Sequence, residues 1–198
     1  SRTAADLVNH MDERELADVI FRYGDERQSR RIARKIVDAR KNEPIQTTSA
    51  LAEVVRAAVG GPGPRHVKGK AKPIDPATRT FMALRIAVND ELEALRQLLD
   101  QLTGLIRPGG VVAMISFHSH EDRAVKQAFQ RLTQADVATA LRRKPVTADD
   151  DEARANPRSR SAKLRGIRFH ADLTPEQAAQ RLREHQARQD LIHHGKGL

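Results

Sequence analysis

The sequence predicts an α/β protein with a separate all-helical part, on three observations. The first sixty residues show helical periodicity only. Residues 60–74, GGPGPRHVKGKAKPI, are a loop by composition. Val111-Val112-Ala113-Met114-Ile115 is a continuous apolar run between a Pro-Gly-Gly stop and a helical stripe. At 198 residues the chain has room for one ordinary domain or two small ones.

Asp12, with Glu15 three residues later, reads as the cap of a helix whose Leu16, Val19, Ile20 and Tyr23 form one apolar stripe, and Gly24 ends it. A second helix from about Glu26 to Lys41 buries Ile32, Ala33, Ile36 and Val37. Its other face carries Arg27, Arg30, Arg31, Arg34, Lys35, Arg40 and Lys41 against the single acid Asp38. Pro44 breaks the chain, and Thr47 or Thr48 caps a third helix with Leu51, Val54, Val55 and Ala58 facing inward. The glycines and prolines of 60–74 mark the best boundary in the chain.

Asp75-Pro76 restarts a helix. Phe81, Leu84, Val88, Leu92, Leu95, Leu99, Leu102 and Ile106 then step by threes and fours, which predicts one helix of up to about thirty residues, bent near Asn89. Pro108-Gly109-Gly110 stops it. Continuous apolarity at 111–115 suits a strand buried on both faces, as in a parallel sheet. A helix from about His120 to Leu132 follows, with short strands near 138–142 and 163–169 and an acidic stretch from Asp149 to Glu152 between them. Thr174-Pro175-Glu176-Gln177 opens a last helix, polar nearly all round, as a surface appendage or a poorly folded tail. Helix, Pro-Gly-Gly, buried strand and helix are the signature of a doubly wound domain. Such sheets have more strands than this chain offers, and no Gly-x-Gly-x-x-Gly turn joins a strand to a helix. The chain reads like the second half of an enzyme, its strand 111–115 left without a neighbour as an apolar edge prone to association.

Composition narrows the function. Lys plus Arg outnumber Asp plus Glu 35 to 26, a net charge of +9, so nucleic acid or another polyanion is the leading partner class. Zero cysteines exclude disulfides, zinc ribbons and thiol catalysis. No apolar run approaches the roughly 20 residues of a membrane span, and no short apolar stretch behind a basic start suggests a secretory signal. The expected setting is cytoplasmic.

Two strings carry candidate chemistry. Ser116-Phe117-His118-Ser119-His120-Glu121-Asp122 follows the strand, at the edge where open α/β sheets bind ligands. Ser119 with Asp122 resembles a capping box; the functional reading is a pocket in which Phe117 stacks on a base and His118 hydrogen-bonds to it. His118 and His120 lack a third ligand at usable spacing, so no metal site is expected. The second string runs from Asn156 to Arg165. From Arg154 to Arg168, both included, there are six basic residues and no acid. The alternation Arg158-Ser159-Arg160-Ser161 would set both guanidinium groups on one side of an extended chain, a grip on phosphate shared with the serines, Lys163 and Arg165. Arg79 and Arg85 add a weaker basic pair, which would otherwise only solvate the long helix.

Together these strings resemble the RsmH family, also called MraW, which methylates a ribosomal RNA cytosine on its exocyclic N4 amine using S-adenosylmethionine. The resemblance covers roughly residues 3–165. It runs through Ala4-Ala5-Asp6-Leu7-Val8-Asn9, Tyr23-Gly24-Asp25-Glu26-Arg27, Pro44-Ile45-Gln46-Thr47-Thr48 and Pro76-Ala77-Thr78-Arg79-Thr80-Phe81. It continues through Leu84 to Leu92, Pro108-Gly109-Gly110, Ser116-Phe117-His118-Ser119 and Asn156 to Arg165. Met82 stands where the family commonly has glutamine, His120 where it has leucine, and Asp75 replaces a frequent histidine. The resemblance implies the C-terminal part of a class I, Rossmann-like methyltransferase domain over 75–170, an all-helical inserted domain over 1–74, and a helical peripheral tail over 171–198. The family's cofactor-binding residues would precede Ser1, so none is assigned here, and the isolated chain is expected to be inactive. Substrate-pocket candidates are Asn89, Phe117, His118 and Glu121; RNA-binding candidates are Arg79, Arg85, Arg158, Arg160, Lys163 and Arg165. No general base is assigned. The implied partner is small-subunit ribosomal RNA or the 30S subunit, at a cytosine of the decoding centre. The alternative is a non-catalytic basic RNA-binding or ribosome-associated protein derived from that family.

Overall fold

The computed structural model describes residues 2–60 and 75–194. The chain divides into two compact units, residues 1–91 and 92–198. The expected linker, and with it the boundary at 74, lies outside the described residues apart from Gly60.

The first unit is helical: α1 Ala4–His10, α2 Glu13–Gly24, α3 Ser29–Asn42, α4 Thr48–Val59 and α5 Ala77–Asn89. Each start has a chemical cause. Thr3 and Asp6 form a reciprocal capping box for α1, Asp12 accepts from the N–H groups of Arg14 and Glu15, and Thr47 accepts from Ala50. Leu16, Ile20, Ile32, Ile36, Val55 and Leu84 are fully buried, each side chain contributing about 1.5–3 kcal/mol. On the basic face of α3, Arg31, Arg34 and Lys35 are exposed, but Arg40 turns inward. Its guanidinium donates to the carbonyls of Val8 and Met11, both at 2.7 Å, satisfying acceptors at the end of α1. By packing, α5 belongs to this unit. It lies on α2 so closely that a Cβ at Gly24 would sit 2.8 Å from the Arg79 carbonyl oxygen.

The expected thirty-residue helix is three: α5, α6 Glu91–Asp100 and α7 Leu102–Leu105. The break is sharper than a bend. Asp90 adopts the left-handed conformation at φ 48°, which short polar side chains tolerate and most residues avoid.

In the second unit β1 Val111–Ser116 leads to α8 Ser119–Gln134, then β2 Ala138–Ala140, β3 Val146–Thr147 and α9 Asp150–Ala155. A 3-10 turn Pro157–Ser161, β4 Lys163–Phe169 and α10 Pro175–His194 complete it. The sheet corrects the expectation of parallel strands. β4 is its centre, pairing antiparallel with β1, β2 and β3 in the order β1-β4-β2. Nor is β1 without a neighbour: it pairs with β4 from Val111↔Arg168 to Ser116↔Lys163, and only its other edge has no strand among the described residues. Its apolar run is not buried on both faces either. Val112 faces the core, while Val111 and Ile115 face outward, Ile115 at 59% exposure.

Val125, Phe129 and Leu132 of α8 cluster with Val112, Val137, Ile167, Phe169, Leu99 and Leu102. The polar α10 is a formed helix. Ala178 is buried, Leu182 packs against the same core, and Arg181 donates to the Asp136 carboxylate at 2.7 Å. No described helix is long and apolar enough to cross a membrane.

Candidate functional site

The turn after β1 is built from the inside out. Ser116 ends the strand with its side chain buried, and Phe117 emerges at 55% exposure. His118 takes an extended conformation at the N-cap of α8. Its Nδ1 accepts from the Glu121 N–H at 3.3 Å, while Glu121 Oε2 accepts from the N–H groups of Phe117 at 2.8 Å and His118 at 3.3 Å. Glu121 Oε1 lies 3.2 Å from His118 Nε2. The capping box expected at Ser119 and Asp122 therefore sits one residue earlier, at His118 and Glu121; Ser119 is already helical and Asp122 is turned toward the sheet. Three pocket candidates share this turn, in different roles. Phe117 is presented to solvent, and the ring of His118, only 9% exposed, is packed into the cap with Glu121 as its brace.

Asp122 ties α8 to β4. Arg165 donates to it through Nε at 2.7 Å and Nη2 at 3.3 Å, and Lys163 through Nζ at 3.1 Å. Burial opposes ionisation of this carboxyl, but the hydrogen bonds from Arg165 and Lys163 outweigh it and hold its pKa below the usual carboxylate value. Lys163 and Arg165, read in the sequence as phosphate contacts, are thus engaged within the fold.

The arginine-serine string is not extended. Asn156 caps a 3-10 turn with Pro157 at its first position, its Oδ1 accepting from the Arg158 N–H. With three residues per turn, Arg158 and Arg160 leave the backbone in different directions, which corrects the expected one-sided grip. Ser159 is buried and donates to the Asn156 carbonyl, so it does not face outward toward phosphate. Arg158 and Arg160 remain exposed, with no ion-pair partner among the described residues.

In the first unit, Arg85 forms a two-pronged pair with Glu91 at 2.9 and 3.0 Å, and Asn89 Nδ2 donates to the same carboxylate at 3.1 Å. Arg79 lies 3.6 Å from Glu26. Asn89 is exposed, and its Oδ1 receives no hydrogen bond among the described residues. A further basic string, Arg142-Arg143-Lys144, falls between β2 and β3 with every side chain exposed. Three consecutive cations were its signal in the sequence.

Residues 1–170 match the MraW methylase family. Among curated relatives, the chain is similar to "Ribosomal RNA small subunit methyltransferase H" of Deinococcus radiodurans, with 53% identity over 163 residues, 82% of this chain and 49% of the relative. The protein of the same description from Sorangium cellulosum is 52% identical over 166 residues, 84% of this chain and 50% of the relative. That from Solibacter usitatus is 51% identical over 165 residues, 83% and 54%. The chain spans about half the length of the curated relatives it matches.

Proposed function

The chain belongs to the MraW methylase family, and from that premise we propose that it is part of an enzyme that methylates the exocyclic N4 amine of a cytosine in the decoding centre of small-subunit ribosomal RNA. In this reading the helical inserted domain takes in α5 and reaches residue 91 rather than the expected 74, residues 92–170 are the C-terminal part of a class I methyltransferase domain, and 171–198 are the tail. The setting is the cytoplasm, and the partner is small-subunit RNA or the 30S subunit.

S-adenosylmethionine would supply an electrophilic methyl group on a sulfonium. The residues present do not form its cradle. Among the described residues no glycine-rich turn joins a strand to a helix, and the N–H groups of Phe117, His118 and Glu121 are already engaged within their own turn.

The observation that carries the reading is Phe117, exposed at the end of β1 on a turn that His118 and Glu121 brace. A cytosine must leave its stack to be methylated, and an exposed aromatic face receives such a base. His118 and Glu121 would then act by holding the angle of Phe117. Arg158 and Arg160, exposed in the same unit as Phe117, suit phosphate contacts. In this reading positioning of the base supplies much of the rate.

The test joins this chain to the half of the Deinococcus radiodurans relative that it does not span. The chimera is assayed on small-subunit RNA with labelled S-adenosylmethionine, and the product nucleosides are read by mass spectrometry. N4-methylcytidine is expected, with RNA affinity roughly tenfold weaker in Phe117→Ala, the scale of a single base stacked on an aromatic ring. Calorimetry on the isolated 198 residues should show no S-adenosylmethionine binding. Absence of N4-methylcytidine overturns the assigned reaction, and micromolar cofactor binding by the isolated chain overturns its division between the two halves.

A further inference from the structure

We propose that the cleft between α8 and the β2–β3 connection is a second RNA contact, a seat for backbone phosphate on the strand that flanks the target base. The proposal rests on the RNA-methyltransferase reading above and adds to it a site that lies away from Phe117.

The cleft, of about 90 Å³, is lined by Lys126 of α8, by Arg142 and Arg143, and by Arg165 on its β4 floor; no acid lines it. The four cations are not equivalent. Arg165 is compensated by Asp122, whereas Lys126, Arg142 and Arg143 have no ion-pair partner among the described residues. Charges gathered on two facing walls without acids repel one another, and an anion between them relieves that repulsion. Phosphate suits arginine forks and a lysine ammonium together, because it accepts on several oxygens at once.

The connection that carries the arginines is anchored where it leaves the sheet. The Leu141 N–H donates to the Gly166 carbonyl at 2.9 Å, and the Leu141 side chain fills the place of the missing Cβ, its Cδ1 2.9 Å from that position. The hydrogen bond to Gly166 lays this segment on β4 and starts the run Arg142-Arg143-Lys144 at a defined point.

The cleft also shares its helix, α8, with the braced turn. His118, Asp122 and Lys126 follow at four-residue spacing along one stripe of α8, so Lys126 lies about 12 Å down the helix axis from His118. A single strand whose base rests on Phe117 would have that distance to cross to reach the exposed Lys126 at the cleft. Other basic clefts in the same unit are weaker candidates. The groove between α6 and α8 holds Arg96, Arg123 and Arg131, but Asp100 lines it and pairs with Arg131 at 3.1 Å.

The experiment measures binding of a labelled single-stranded RNA, a short stretch of small-subunit sequence containing the decoding-centre cytosines, to the full 198-residue chain across a salt series. The triple variant Lys126→Gln, Arg142→Gln, Arg143→Gln is compared with Arg183→Gln, Arg188→Gln on α10 as a basic control. The triple variant should bind about tenfold or more weakly at low salt, and its log–log salt slope should fall by about 0.7 for each phosphate it no longer neutralises. The control should keep wild-type affinity and slope, and matching circular dichroism spectra ensure that folded proteins are compared. Unchanged binding by the triple variant overturns the proposal, as does a wild-type chain that binds no RNA. The chimera separates this failure from that of the parent reading. If it forms N4-methylcytidine at wild-type efficiency with the triple substitution, the cleft falls and the enzyme assignment stands; if the unsubstituted chimera forms none, the parent reading falls.

Discussion

The guanidinium of Arg165 meets the carboxylate of Asp122 at 2.7 Å, and the pair fastens the first turn of α8 to the middle of β4. Both side chains are largely withdrawn from water, and Lys163 closes the group from the rim. This ion pair fixes how the turn bearing Phe117 and His118 sits on its sheet.

Replacing Asp122 with alanine leaves Arg165 charged, largely buried and without its carboxylate. A loss of about 3 kcal/mol is expected, the scale for breaking a buried pair from one side. Urea denaturation followed by circular dichroism measures it. Arg158→Ala, at an exposed position, should change stability by no more than about 0.5 kcal/mol; equal losses in the two variants would show that Asp122 does not hold α8 to the sheet.

The same carboxylate sets an acid limit. Its pKa in the folded chain lies below the ordinary value of 3.8, so the folded state binds the proton less readily than the unfolded state. The contribution is complete above that ordinary value and is lost as pH falls through the lower, folded one. Denaturation midpoints of wild type and Asp122→Asn, taken from pH 6 downward, should therefore converge in strongly acid solution. A gap that stays constant to the lowest pH would remove Asp122 from the explanation.

His118→Ala should cost about 1 kcal/mol through loss of the α8 cap, and His118→Ser, which restores an acceptor at the N-cap, should recover most of it. Ser119→Ala leaves both members of the box in place and should cost less than His118→Ala. Thermal melts of the three variants give the order directly, and a larger loss from Ser119→Ala would return the cap to that residue.

Val111, Ile115 and Leu164 expose apolar side chains on the outer side of the β1–β4 pair. The isolated chain should associate with rising concentration and bind a hydrophobic dye, and Ile115→Lys should reduce both. Light scattering showing a clean monomer of the wild-type chain at high concentration, with little dye bound, would count against this.

What could be read in the sequence was mostly local. Asp12, Thr47 and the apolar stripes of α2, α3 and α4 stand where periodicity and cap chemistry put them. Other caps carry equally local signals that periodicity alone passes over: the Thr3…Asp6 box of α1, Asp149 ahead of three acids at the start of α9, and Asn156-Pro157, a cap followed by proline at the first helical position. The sheet was harder to read because strand direction is set by pairing. β4 itself alternates, with Ile167 and Phe169 inward and Arg168 outward, yet nothing in KLRGIRF says which strand it meets or in which sense. The apolar period ran unbroken across Asn89 and Asp90, so only the backbone of Asp90 reveals that the helix stops there. At the candidate site, Ser119/Asp122 and His118/Glu121 are equally good boxes on spacing alone. The ion pairs of Asp122 with Lys163 and Arg165, more than forty positions away, turn it inward.

The close approach of Gly24 to the Arg79 carbonyl has a kinetic consequence. All-helical units ordinarily fold fast because their contacts are local, but this one is closed by an approach between residues 24 and 79. Docking α5 on α2 must bring together the ends of a loop of roughly 55 residues, with an entropic cost that grows with the logarithm of its length. Glycine makes that late encounter possible, since any side chain at 24 would meet the backbone of the arriving helix. Sequence separation thus sets the expectation that α2, α3 and α4 gather first and that α5 completes the core.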